Sequence, residues 1–414
     1  VPEPDTLLPL THWEHPDSNE SVQDIVRQAY AEQTPLYPVG GGVSLDYGLP
    51  ARQPGVGLSL QGLNRIVDYP ARDLTATVEA GVTLSQLNQV LAQEGQCLPI
   101  EAPHGDKATL GGITATAWCG PRRYSTGSVR DFVIGVSAVD GRGESFRGGG
   151  RVVKNVAGYD FCKLLTGSLG TLGVITELTF KLRPIPQRSA LLACAVADYN
   201  QAEGLLASLV HSKTTPAAIE LLSGPAWSEL PGLAEIGAAP HPRYLVVGFS
   251  GSDAEVDWSL KTLRQEWKQQ QVEATRVWEQ QEAAAMWSAL TDFSEGDSAL
   301  TLKATSAPSG TGPLMQQMEM LAPGCSLQAH AGNGVILARY DEFPAEGLSR
   351  TLIRRLLPQA RAHHGSVVIL KNPSGSEMTA QACWGGGEGS FDLMRTVKQQ
   401  FDPRNLLNPG RFVV

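Results

Sequence analysis

The residues with the clearest chemical potential are clustered glycines. Pro38-Val39-Gly40-Gly41-Gly42-Val43-Ser44 follows a strand-like Thr34–Tyr37 and carries no side chain beyond Val43 and Ser44 that could obstruct a ligand. Such a turn lets successive backbone N–H groups converge on an anion, although by itself it reads equally as a plain turn. Pro103-His104-Gly105-Asp106-Lys107-Ala108-Thr109-Leu110-Gly111-Gly112 is a second loop with small residues at its exit. A third, Gly167-Ser168-Leu169-Gly170-Thr171-Leu172-Gly173-Val174-Ile175-Thr176, runs from glycines into an apolar strand whose amides and carbonyls could meet a flat heterocycle. The first cluster contains neither Gly-x-Gly-x-x-Gly nor Gly-x-x-x-x-Gly-Lys-Ser/Thr, so nicotinamide and ATP readings lose their main support.

The surroundings of these loops narrow the class. The 414 residues are 42% hydrophobic and 18% charged, enough apolar material for cores and too little charge for disorder. At roughly 100–200 residues per domain, two domains are expected. A net charge of −9 disfavours nucleic acid and anionic lipid. No apolar run approaches the ~20 residues that cross a bilayer. The first twenty residues lack a basic flank followed by an apolar run, so a soluble, unsecreted, cytoplasmic protein is expected. Cys97, Cys119, Cys162, Cys194, Cys325 and Cys383 include no Cys-x-x-Cys and offer no iron–sulfur or zinc framework.

From Leu36 to Leu182 short β-branched runs (Thr75–Val78, Phe132–Val139, Leu172–Phe180) alternate with glycine turns, which predicts strands. Packing helices are predicted over 21–31, with Val22, Ile25, Val26 and Ala29 on one face, and over 83–94, with Leu84, Leu87, Val90 and Leu91. Pro184 and Pro186 should stop strand pairing and mark a boundary. Beyond it, strands near 191–196, 217–222, 244–249, 299–304 and 326–330 alternate with helices capped by Asp198 and by Ser252 or Asp253. That is the pattern of an α+β domain with an antiparallel sheet. Leu348, Leu352, Leu356 and Ala360 form a helical stripe over 345–363, Pro358 should kink it, and Arg354 and Arg355 should face solvent. His363-His364 reads as a helix C-terminus, since adjacent positions point apart.

The ordered set Pro38–Ser44, Ala108–Gly112, Gly120-Pro121-Arg122-Arg123, Gly127-Ser128-Val129-Arg130-Asp131, Lys154-Asn155-Val156-Ala157-Gly158-Tyr159-Asp160 and Gly167–Thr176 resembles the FAD-binding (PCMH-type) domain of the vanillyl-alcohol oxidase family. Phe401-Asp402-Pro403 and Leu407-Asn408-Pro409-Gly410-Arg411 resemble the C-terminal signature of its D-lactate and glycolate dehydrogenase branch, and within it the chain is most similar to FAD-binding subunits of glycolate oxidase complexes. The resemblance implies an α+β molecule with a two-subdomain FAD-binding fold over 1–183, an antiparallel-sheet cap over 184–385, and a segment, 386–414, that returns to the first domain. It implies that Val39, Gly40, Gly41, Gly42, Val43 and Ser44 wrap the FAD pyrophosphate. Pro103, Gly105, Thr109, Leu110, Gly111, Gly112 and Thr116 would form a second wall, Gly173, Val174 and Ile175 would meet the adenine side, and Ser128 and Arg411 would reach the cofactor. Arg122, Arg123 and Arg130 could neutralise phosphate or pair with Asp131 and other carboxylates. Tyr159 and Asp160 read as structural. The resemblance also implies a role in electron transfer beside a second, catalytic flavoprotein subunit and an iron–sulfur subunit, in a complex that would meet a membrane only peripherally.

Two departures from the family pattern carry chemistry. Many relatives attach FAD through a histidine where this chain has Val43, and an isopropyl group offers no nucleophile, so non-covalent FAD is expected. Branch members build a metal and hydroxy-acid site on His-x-Gly-Asp-Gly-Asn-Leu-His and a later Glu-His pair. Here those stretches read His330-Ala331-Gly332-Asn333-Gly334-Val335-Ile336-Leu337 and Leu370-Lys371. A lysine ammonium has no lone pair for a metal at neutral pH, so no metal is expected. His330 remains as a candidate proton acceptor or as a structural histidine.

Overall fold

The computed structural model describes residues 7–150, 158–237, 242–385 and 388–412. Two compact units divide the chain: residues 1–119, 127–185 and 387–414 form one, and 120–126 with 186–386 form the other. The short segment 120–126 therefore leaves the first unit and groups with the cap.

In the first unit, Gly55–Ser59 lies between Leu10–Glu14 and Leu36–Val39 in a three-stranded parallel sheet. Helix Asn19–Glu32 covers it. The helix starts two residues before the predicted 21–31: its cap is Ser18, and Ser21 closes the capping box as the third residue of the helix. Val22, Val26 and Ala29 pack with Leu36, Val56 and Leu58 in an apolar core that also takes Val139, Val174 and Leu407. A five-stranded antiparallel sheet runs in the order Ile66–Asp68, Thr75–Glu79, Val174–Lys181, Val133–Val139, Ser145–Gly149. Thr83 caps helix Leu84–Ala92 in a second capping box. The boundary prolines stop the sheet less abruptly than expected, since Arg183–Pro184 still pairs with Gln96–Cys97.

The second unit is built on one eight-stranded antiparallel sheet. Its order is Thr275–Glu279, Arg188–Val196, Arg243–Gly251, Ala218–Ser223, Ser326–His330, Val335–Tyr340, Leu300–Thr305, Val367–Lys371. Asp198 caps helix Tyr199–Val210 and Ser252 caps helix Asp253–Gln269, as their side chains predict. Pro358 stands near the start of helix Leu357–Ala362, after the wider turn of a π-type helix over Ser349–Leu356. The stripe Leu348, Leu352, Leu356 and Ala360 is buried. Arg354 and Arg355 are exposed.

Candidate functional site

Strand Leu36–Val39 delivers the first glycine loop to the end of the parallel sheet. No backbone N–H from Gly41 to Ser44 donates a hydrogen bond within the described residues, although the loop is half-buried. Unbonded, partly buried amides are costly unless a ligand or water accepts from them. The second loop lies directly against the first. A Cβ on Gly40 would fall 2.1 Å from Thr109 Oγ1, and one on Gly41 would fall 1.8 Å from the Lys107 carbonyl oxygen.

The second loop is less open to a ligand than its sequence implies. Thr109 caps a helix, Leu110–Thr116, that the glycine-rich sequence conceals. The amides of Leu110 and Gly111 donate to Val82 and Ala80 carbonyls at 2.9 and 2.8 Å, and that of Gly112 donates to Thr109 Oγ1 at 3.3 Å. Thr116 spends its hydroxyl on the Gly112 and Ile113 carbonyls. Pro103 is buried and Gly105 is half-buried, its carbonyl accepting from Ser85 N.

The far end of that helix meets the third loop. Gly167 N donates to Thr114 O at 3.0 Å, and Leu169 N donates to Ala115 O at 2.8 Å. At this junction Thr114 Oγ1, Ser168 Oγ and Trp118 Nε1 are buried and have no hydrogen-bond partner among the described residues. Val174 points into the apolar core, and Val174 and Ile175 pair with Val139 and Ala138 in the sheet. Gly173 is buried against the Val139 carbonyl. All three loops thus adjoin one short helix.

Other expected contacts are engaged locally. Ser128 donates its hydroxyl to Asp131 Oδ2 at 2.9 Å and caps helix Val129–Phe132. Arg411 is buried, and its guanidinium donates to the Leu45 carbonyl and, at 2.5 Å, to the Tyr47 carbonyl, bracing the turn after the first loop. Asp160 caps helix Phe161–Leu165 and pairs with Lys163. Arg122 groups with the cap unit. Its guanidinium stacks 3.7 Å from the centre of the Trp287 ring and lies 3.5 Å from Ser189 Oγ, within the cap unit. Lys154–Ala157 lies outside the described residues.

In the cap, His330 is 2% exposed and its Nδ1 lies 2.8 and 2.9 Å from the two carboxylate oxygens of Glu220, itself 1% exposed. This contact fixes the orientation of the His330 ring through Nδ1. Gln328 Nε2 holds Glu220 from the other side, donating at 2.8 Å to Oε2 and at 3.0 Å to the Leu290 carbonyl. Glu220 was legible only as a charge inside the apolar run Ala217–Leu222.

Tyr124, on the 120–126 segment, packs where a Cβ on Gly332 would stand, 2.3 Å from its ring. The residues do not fit the branch's metal. Leu337 and Leu370 are buried and apolar, and Lys371 Nζ pairs with Glu295 at 2.5 Å. No group of three or more His, Cys, Asp or Glu side chains among the described residues is placed to hold a metal ion.

Comparison with known proteins gives the class. An FAD binding domain model matches residues 13–149, and the C-terminal domain of FAD linked oxidases matches residues 185–311 and 374–412. Glycolate oxidase subunit GlcE of Escherichia coli (strain K12) is 41% identical over 177 residues, 42% of this chain and 50% of that protein, so the match spans half of that relative's length. D-2-hydroxyglutarate dehydrogenase of Xanthomonas citri pv. viticola is 27% identical over 96% of this chain and 88% of its own length. Glycolate oxidase subunit GlcD of Bacillus subtilis is 26% identical over 96% and 87%. Alkyldihydroxyacetonephosphate synthase shares the fold, with a TM-score of 0.71 at 18% identity over 96% of this chain and 75% of that one. The chain thus carries a match to an FAD binding domain followed by a match to the C-terminal domain of FAD linked oxidases. Its cofactor is FAD.

Proposed function

We propose that this chain is the FAD-holding subunit of a glycolate oxidase or dehydrogenase complex, passing electrons from 2-hydroxy-acid oxidation toward an iron–sulfur subunit. The observation that carries the cofactor half of this reading is the run of undonated amides from Gly41 to Ser44, with buried orphan polar atoms on Thr114, Ser168 and Trp118 nearby. Phosphate oxygens would satisfy the amides. Gly40–Ser44 would cradle the pyrophosphate without a covalent link, since Val43 has no nucleophile. The backbone around Pro103, Gly105 and Thr109 would wall the site, and Gly173–Ile175 would flank the adenine side. Bound FAD would supply a carrier able to accept and release electrons singly or in pairs, the chemistry that links a two-electron oxidation to an iron–sulfur carrier. The subunit reading draws on the 41% identity to a glycolate oxidase subunit, on the apolar and lysine residues where the branch keeps metal ligands, and on cysteines too scattered for a cluster. A second flavoprotein subunit would oxidise glycolate, and the complex would work in the cytoplasm.

A second reading, a self-sufficient dehydrogenase for D-lactate or glycolate, is favoured by one geometry. The Glu220–His330 pair holds a buried histidine in one orientation through Nδ1, the arrangement by which a carboxylate positions an imidazole for general-base work. Anaerobic addition of glycolate and of D-lactate to the purified chain separates the two. The subunit reading expects the flavin to stay oxidised until partner chains are supplied, and rapid bleaching by either acid overturns it.

A further inference from the structure

Among the described residues, one lysine is buried. Lys398, near the end of helix Glu388–Phe401, is 3% exposed and its Nζ has three acceptors: Asp402 Oδ2 at 2.6 Å, the Thr171 carbonyl at 2.7 Å and the Leu407 carbonyl at 3.0 Å. Three donors meet three acceptors, so the charge is satisfied. Burial depresses the Lys398 pKa while Asp402 opposes that shift.

What the ammonium holds is informative. Thr171 belongs to the third glycine loop. Asp402 also accepts from the amides of Leu406 at 3.0 Å and Leu407 at 2.7 Å. That tail in turn brackets the strand feeding the first loop, with Leu36 N donating to Leu406 O at 2.8 Å and Asn408 N donating to Leu36 O at 2.9 Å. Asn408 Nδ2 returns to the third loop at the Leu169 carbonyl, 2.8 Å away.

We propose that Lys398 is a positioning residue for the cofactor: its buried ammonium locks the third loop and the C-terminal tail together, and the tail sets the register of the strand that presents the first loop. This rests on the FAD reading above. Replacing the ammonium leaves the Thr171 and Leu407 carbonyls unpaired in a site closed to water, and the loops would relax apart.

The test measures FAD affinity of refilled apo-protein, its melting temperature and the visible spectrum of the bound flavin. Lys398→Met should weaken FAD about tenfold or more, the scale of one buried hydrogen bond left unmade. Since that variant strands the Asp402 charge, Lys398→Met/Asp402→Asn removes both charges. Asn408→Gly tests the same clasp mildly, keeping the left-handed backbone (φ 46°) without the amide. Each should lower FAD affinity and alter the fine structure of the flavin band, and Asn408→Gly should do so while its apo-protein melts within a few degrees of wild type. Folded variants with wild-type FAD affinity and spectrum overturn the inference and leave the FAD reading intact. A wild-type protein that takes up no FAD overturns that reading instead.

Discussion

At Gly41 the obstacle to any side chain is the neighbouring loop as well as a ligand, because a Cβ there would collide with the Lys107 carbonyl. Gly41→Val should therefore part the two loops and lower the flavin-to-protein absorbance ratio of the purified protein several-fold. A folded variant with full flavin would place the phosphates elsewhere. Glu220 is a different kind of residue, buried and bonded to both His330 and Gln328. Glu220→Ala would orphan two buried donors, and the expected loss is about 2–4 kcal/mol in chemical denaturation. A loss well under 1 kcal/mol would mean the pair is solvated in solution. Among the cysteines, burial pushes the Cys162 thiol up to about 11 and the Cys194 and Cys325 thiols up to about 12, from 9.0. The unfolded chain ionises these thiols first. Their contribution is fully present below pH 9 and is lost as pH rises from there toward 11–12. Urea midpoints should fall between pH 8.5 and 10.5 more steeply in wild type than in Cys194→Ala.

At the scale of elements, a helix was legible where its start is written in side chains. Thr83 and Gln86, or Ser252 and Glu255, form reciprocal caps that depend on residues three apart. Helix Leu110–Thr116 was not legible, since two glycines in its first turn carry poor helix propensity. Tertiary packing selects them: a Cβ on Gly111 would fall 2.8 Å from that of Ala80. The segment 120–126 is the other surprise. Its neighbours on both sides belong to the first unit, yet Arg122 and Tyr124 dock on Trp287 and Gly332 of the cap. Cation–π stacking is worth about 0.5–2 kcal/mol. Trp287→Ala should therefore release the segment and speed tryptic cleavage at Arg122 and Arg123 several-fold, read by mass spectrometry. An unchanged rate would show that the arm is held by other contacts.

For the molecule as a whole, the chain divides into two compact units with their own sheets, and a ligand of the first should act on that unit's loops. Saturating FAD at about 100 times its dissociation constant stabilises a binding-competent state by about 2.7 kcal/mol. Hydrogen exchange should slow over 36–49, 103–118 and 167–176 when FAD is added to the apo-protein. Unchanged exchange in all three would separate the cradle from the cofactor. What the amino-acid sequence determined by itself was local: glycine turns, caps, strand alternation, the absence of a nucleophile at Val43 and of metal donors at Leu337 and Leu370. Each depends on the chemistry of one residue or its near neighbours. Only the tertiary structure decided that Glu220 faces His330 across 110 positions, that Lys398 reaches Thr171 across 227, and that Arg122 serves the cap. Those pairings arise because chain-distant groups share one buried, water-poor site, where each polar atom must find a partner that the packing of whole elements has brought within reach.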